Sequence, residues 1–178
     1  MKLKQLIAPT SLPVSLESLK NFLRVLDSEQ DEQIVILAKS SIKRAENITN
    51  RQLAGVATFV LYLDGFPPII TLPKSPLIEV EKIEYLDKNK FVQTLEDENY
   101  EIDDKATPAI IKILSIPSSF IGGYNSVGVT FRSGYESIPS EVEAWIKINV
   151  NYDFYQMPIS ERSVFIDNAL DSLRIVPI

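Results

Sequence analysis

The stretch VGVTFRSGYESIPSEVEAWIKINVNYDFYQ, Val127 to Gln156, runs from an apolar strand through Gly134 into a helix that carries the chain's single tryptophan, Trp145. Pro139 suits a first helical turn, where a missing N–H costs nothing. Ser137 or Ser140 can cap, and Glu141 and Glu143 complement the positive end of the helix dipole. At about 100° per residue, Ala144, Trp145, Ile148, Tyr152 and Tyr155 fall on one stripe, while Val142, Ile146, Val150 and Phe154 fall on a second, roughly opposite one. A helix apolar on two sides is expected to be buried on two sides, either as a central core helix or with its second stripe in a subunit contact. None of these residues suggests catalysis.

Outward from this stretch, 178 residues with 45% hydrophobic and 24% charged content suffice for a well-buried core. No apolar run approaches the roughly 20 residues of a spanning helix, and MKLKQLIAPTSLPVS is interrupted too early by Pro9 and Pro13 for a signal peptide. A soluble, unsecreted protein without a membrane partner is expected. The chain has no cysteine and no histidine. Thiolate catalysis, Ser-His-Asp and Cys-His relays and the usual zinc sites are therefore excluded, and an enzyme would have to work with carboxylates, Lys, Tyr or Ser. The net charge of −6 argues against a dedicated nucleic-acid binder, which needs clustered Lys and Arg to release counterions.

Met1 to Val14 reads as an extended arm. Ser15 caps a first helix whose apolar face is Leu16, Leu19, Leu23 and Leu26, flanked by Phe22. Ser28 with Asp31 resembles a capping box opening a second helix, which runs to about Asn50. Its stripe is Ile34, Leu37, Ala38, Ser41, Ile42, Ala45 and Ile48, with Lys39, Lys43, Arg44 and Glu46 on the solvated side. From Gly55 the period turns strand-like: Phe59, Leu61 and Leu63 alternate with Thr58, Val60 and Tyr62, in a segment apolar enough on both faces for an inner strand. A short IITL strand follows. Ile78 to Leu86 and FVQTL then form a hairpin about the Asp87 to Lys90 turn.

The acidic run EDENYEIDD, Glu96 to Asp104, lacks the spacing and central glycine of a calcium loop and is expected to be a solvated loop. Ala109 to Ile116 is another strand, and Pro117 to Asn125 a loop whose Gly122 and Gly123 are turn glycines without the Lys-Ser/Thr of a phosphate loop. Ser160 caps a last helix, about 161–173, with Val164, Phe165, Asn168, Ala169 and Leu173 inward. The closing Arg174, Ile175, Val176, Pro177 and Ile178 either fold back on the core or dock into a partner. The layout predicts an α+β fold, with a small bundle of N- and C-terminal helices (about 15–50 and 138–173), a β-rich insertion (about 55–132) and a tail (174–178) in one domain, 1–178.

The ordered series PVSLESLKNFLRV, IVILAKSSIKRAENITNRQL, LYLDGFP, LPKSPLIEVEKIEYLD and VTFRSGYESIPSEVEAWIKINVNYDFYQ resembles the head-tail connector (adaptor) proteins of long-tailed bacteriophages and related gene transfer agents, across nearly the whole chain. The loop Ser118 to Ser126 lacks that family's tryptophan-proline pair, and the end after Arg174 is short. The resemblance implies a non-enzymatic virion protein of the neck, assembled in the host cytoplasm without cofactor or metal. Its copies would form a homo-oligomeric, dodecameric ring under the portal protein that extends the DNA channel and meets a stopper or tail-completion protein, with DNA passing but not specifically bound. By position, Leu173, Arg174, Ile175, Val176, Pro177 and Ile178 would face the portal. Val142, Trp145, Ile146, Ile148, Val150, Tyr152, Phe154 and Tyr155 would serve the core or a subunit contact. Two other functions compete: a stopper or tail-completion protein, and a hydrolase using two acids from the Glu79 to Asp104 region.

Overall fold

The computed structural model describes residues 1–158 and 168–175. They form two compact units between which the chain alternates: Met1–Ala8 with Val56–Gly134, and Pro9–Gly55 with the described residues from Tyr135 onward. Helices and antiparallel sheets are both present, and the fold class is α+β.

The first unit is built from eight strands: β1 (Lys2–Ile7), β2 (Ala57–Leu63), β3 (Ile69–Thr71), β4 (Leu77–Leu86), β5 (Val92–Thr94), β6 (Tyr100–Asp103), β7 (Ile110–Ile113) and β8 (Val127–Ser133). One sheet has the order β1-β2-β8-β4-β5 and the other β3-β7-β6. Alternation in β2 and β8 turns Phe59, Leu61, Val129 and Phe131 to one face, where they share a core with Ile70 of β3 and Ile111 of β7. Phe59 and Phe131, register partners, stack with ring centroids 5.7 Å apart.

Two expectations change here. The supposed N-terminal arm is strand β1. All six of its side chains are exposed, so no apolar alternation marks it. The acidic run Glu96 to Asp104 is a 3-10 turn, Asp97–Asn99, followed by edge strand β6 rather than a solvated loop. β6 is held by its backbone pairing to β7, which a polar sequence does not forbid.

The second unit contains α1 (Leu16–Leu23), α2 (Asp31–Thr49) and α3 (Ser140–Phe154). Ser15 caps α1, its Oγ accepting the N–H of Ser18 at 3.1 Å. Arg24, in the left-handed region at φ 58°, stops that helix one turn before Leu26, which is 97% exposed and not part of the apolar face. The Ser28/Asp31 capping box does not form. Gln30 precedes α2 and makes no side-chain cap bond. At α3, Pro139 is the residue before the helix rather than in its first turn, and neither Ser137 nor Ser140 is its N-cap.

The two opposed stripes of α3 resolve into one buried face: Val142, Trp145, Ile146, Asn149 and Val150, at the spacing i, i+3, i+4, i+7, i+8. Asn149 lies at the centre of this face and donates from Nδ2 to the Trp145 carbonyl at 2.8 Å. Ala144 and Tyr155 are exposed, and Ile148, Tyr152 and Phe154 are half-buried. The face shares a core with Leu19 and Leu23 of α1 and Ile34, Ala38, Ile42 and Ala45 of α2. Most of the expected last helix, including Val164 and Phe165, lies outside the described residues. Of the rest, Asn168 is exposed, Ala169 and Leu173 are half-buried, and Leu170 is in the core.

Glu46 reverses its expected placement. It is buried, and its Oε1 accepts the backbone N–H groups of Leu53 and Ala54 at 3.0 and 3.1 Å, folding the chain after α2 onto the helix. Glu46→Ala would strand both donors and is expected to cost roughly 1–3 kcal/mol, the typical penalty for unpaired buried groups. Lys43→Ala, which breaks only an ion pair of that glutamate, should cost under about 1 kcal/mol. Urea midpoints of the two variants at unchanged m-value measure the difference.

Candidate functional site: assembly surfaces

The carboxylates of the Glu79 to Asp104 region are engaged mostly by structural partners. Glu79 pairs with Arg132 across the strands at 2.6 Å, Glu84 with Lys82 at 2.7 Å and Glu101 with Lys112 at 3.6 Å. Asp97 accepts the Tyr100 hydroxyl at 2.7 Å, and Asp103 accepts the N–H groups of Lys105 and Ala106. The phenol of Tyr100 is pushed up to about 12, first by burial and then by that aspartate. Among the described residues no group of three or more acidic side chains is placed to hold a metal ion. Glu81 and Glu84 line a groove of about 460 Å³ on the open face of the five-stranded sheet, beside Val60, Tyr62 and Val92.

Asp87 closes the β4–β5 hairpin. Its Oδ1 accepts from the N–H of Phe91 at 3.0 Å and of Asn89 at 2.8 Å, and its Oδ2 from Gln93 at 3.2 Å. The Phe91 N–H leads the causes that hold this carboxyl below its ordinary 3.8, against an opposing contribution from burial. That direction is opposite to the one a general acid requires.

The end of the chain has a defined origin. A helix leaves its last carbonyls without intrahelical donors, and the last turn of α2 has no basic side chain of its own. The missing donors come from the C-terminal segment. Arg174 Nε donates to the Ile48 carbonyl at 3.1 Å and Ile175 N to the Thr49 carbonyl at 2.9 Å, while Asn50 Nδ2 donates back to the Ile175 carbonyl at 2.7 Å. The Arg174 charge also complements the negative end of the helix dipole. Arg51 fixes the segment from the other side, donating from Nε to the Leu173 carbonyl at 2.7 Å and from Nη1 to the Tyr135 hydroxyl at 3.1 Å.

Of the six tail residues singled out from sequence, Leu173 is thus half-buried, Arg174 exposed and Ile175 buried. Val176, Pro177 and Ile178 lie outside the described residues. Of the eight α3 residues, Val142, Trp145, Ile146 and Val150 are core. Sequence reasoning missed Arg51 and Asn50. Their signal was faint: polar residues just past a helix end, where carbonyls need donors.

Further exposed apolar side chains lie along the two outer strands of the five-stranded sheet: Leu3, Leu6 and Ile7 of β1, and Phe91 and Val92 at β5. They accompany charges of opposite sign. Residues 1–8 carry Lys2 and Lys4 and no acid, whereas residues 79–98 carry seven carboxylates and three lysines.

No protein-family model matches the sequence, and no curated protein matches it. Solved structures do. The chain is similar to one from the neck of an empty gene transfer agent particle computed with C6 symmetry, with a TM-score of 0.82 at 16% identity, covering 100% of this chain and 97% of that one. It is similar to a chain of the virion of a native gene transfer agent particle, with a TM-score of 0.76 at 16% identity and the same coverage. A third, from the neck of the native particle computed with C12 symmetry, gives 0.74 at 18% identity, again with 100% and 97% covered. At these identities the likeness is one of fold, and it extends over the whole chain.

Two outcomes follow from the geometry. Asp87→Ala should lower stability at neutral pH. The gap to the parent should close as pH falls, because the unfolded carboxyl protonates near 3.8 and the folded one only lower; Asp87's contribution is complete above 3.8 and lost as pH passes through the folded value. Chemical denaturation of both proteins across acid pH measures this. Separately, Arg51→Ala should speed tryptic cleavage after Arg174 severalfold, read by intact mass, since it removes the bond to the Leu173 carbonyl and the bond to Tyr135 that holds the guanidinium in place.

Proposed function

We propose that this chain is a structural, non-enzymatic protein of a phage-like virion neck, specifically a head-tail connector adaptor. The observation that carries the reading is the whole-chain likeness, with 100% of this chain and 97% of the other covered, to chains of gene transfer agent necks. In this reading residues 1–178 act as one adaptor domain. Copies form a ring beneath the portal, prolong the DNA channel and present a lower surface to a stopper or tail-completion protein. The C6 and C12 symmetries of the neck particles support a ring of self-associating copies, dodecameric in the simplest case.

The acidic balance of the chain, −6, supports a conduit role. DNA must move past such a surface without adhering, and like charge disfavours the backbone contacts on which non-specific binding depends. The segment Leu173 to Ile178 is the proposed portal contact. Its origin is fixed by Leu173 to Ile175 on the end of α2, and the apolar Val176, Pro177 and Ile178 supply the contact itself.

The test is negative-stain electron microscopy of the purified protein with its cognate portal ring, comparing the full chain with one ending at Ile175, which keeps the bonds to α2. Extra density stacked on the portal with the full chain, absent with the shortened one, is the expected result. Equal density with both would retain the adaptor and remove the tail from the contact. No density with either, from protein folded by circular dichroism, would overturn the adaptor reading in favour of a stopper or tail-completion protein.

A further inference from the structure

The five-stranded sheet ends in two strands, each paired on one side only among the described residues: β1, which pairs with β2, and β5, which pairs with β4. Every residue of both strands is exposed. A free edge carries unpaired N–H and C=O groups at alternate residues and templates a further strand unless it is blocked. Lysines are a common block, and Lys2 and Lys4 stand on β1.

The two edges differ in a way that simple blocking does not require. Lys2 and Lys4 are register partners of Tyr62 and Val60 and so lie on one face of the sheet. Two β1 strands brought edge to edge would place four lysines together, a like-charge arrangement that is destabilising across strands. At the opposite edge residues 79–98 carry seven carboxylates against three lysines, an acidic excess that remains although Glu79 and Glu84 are paired with Arg132 and Lys82, and Glu96, Asp97 and Glu98 follow β5 after Leu95. Lys2, Tyr62, Gly128, Glu84 and Thr94 are successive register partners from β1 to β5, so a lysine stands on one edge of this row, while at the other edge the acid is one strand in, beside uncharged Thr94. Like edges repel and unlike edges attract.

We propose that copies of this chain associate by laying β1 of one copy along the β5 edge of the next, with Leu6, Ile7, Phe91 and Val92 supplying apolar contact. The partner is a second copy, and the contact is head-to-tail, so it leaves a free β1 and a free β5 at the ends and continues until a ring closes. All four pairings in the sheet are antiparallel, so β1 and β5 point the same way, and the joint between copies continuing the sheet is parallel. This deepens the ring assembly proposed above, but it rests on the edges of one sheet, and its test is separable.

The chain has no cysteine, so introduced thiols react alone. Lys4→Cys and Thr94→Cys lie on the two edges and on the same face of the sheet, both at exposed positions. Within one copy they are four strand spacings apart, about 19 Å, beyond a short bis-maleimide. The full chain carrying both substitutions should give a ladder of dimers, trimers and higher species with that reagent, while an equimolar mixture of the two single variants should stop at dimers. Dimers from Lys4→Cys alone would overturn the proposal in favour of β1 against β1. Absence of cross-links from the double variant, with its circular dichroism unchanged, would overturn it outright. A ladder from protein that adds no density to the portal ring would keep the edge pairing and remove the neck reading; density on the portal without a ladder would do the reverse.

Discussion

Backbone pairing of β8 on both of its sides is the constraint from which the β unit follows. Its seven residues pair with β2 on one side and, through two irregularities, with β4 on the other. With both edges occupied, its register admits no slip, because a shift of one residue would turn Val127, Val129 and Phe131 out of the core and Gly128 and Thr130 into it. Gly134 ends the strand at φ 130°, a backbone state that residues with a Cβ avoid, and its N–H donates to Pro76 at 3.0 Å. The adjoining strands inherit their placement from this pairing, and so do the charges that β1 and β4 carry.

The end of α2 plays the corresponding part in the helical unit. Its carbonyls, its buried Glu46 and the left-handed Asn50 at φ 57° gather three separate stretches of backbone: the residues just after the helix, Tyr135 through Arg51, and the segment at Leu173 to Ile175. The last of these comes from more than 120 positions away in the chain, so its order depends on the helical core having formed. Satisfaction of a helix terminus and anchorage of the C-terminal segment are here the same hydrogen bonds.

What could be read from the sequence was whatever periodicity alone determines. β2, β8, α1 and α2 all carry a clear period of 2 or 3.6. The misreadings have a common cause: a partner that periodicity does not encode decided where the residue lies. Glu46 looked solvated because the N–H groups that its carboxylate accepts lie seven and eight residues on, past the end of the helix. Asn149 hid the single buried face of α3 because its donors are absorbed locally, at Trp145. β1 and β6 showed no strand pattern because their exposed side chains contribute nothing; only their neighbours' backbone makes them strands. One clue was present and unused. In β4 the apolar positions Val80 and Ile83 are three apart, which breaks period 2. The irregularity between Val80 and Lys82 restores both to the core face, opposite Phe131 and Val129.

The surfaces proposed for assembly were the least legible part, and the reason is topological. A catalytic site announces itself through residue types with special chemistry, and this chain has neither histidine nor cysteine to do so. An edge of a sheet has no such signature, because which strands are outermost depends on strand order, here β1-β2-β8-β4-β5, with two crossovers that no local pattern encodes. Only once β1 and β5 are known to be the edges does the sign of the charge carried on and beside them acquire meaning. The lysines of residues 1–8 and the acids of 79–98 are unremarkable as separate solvated segments. At opposite ends of one sheet they form a polarity, and a polarity carried by identical copies is the condition for head-to-tail growth into a closed ring.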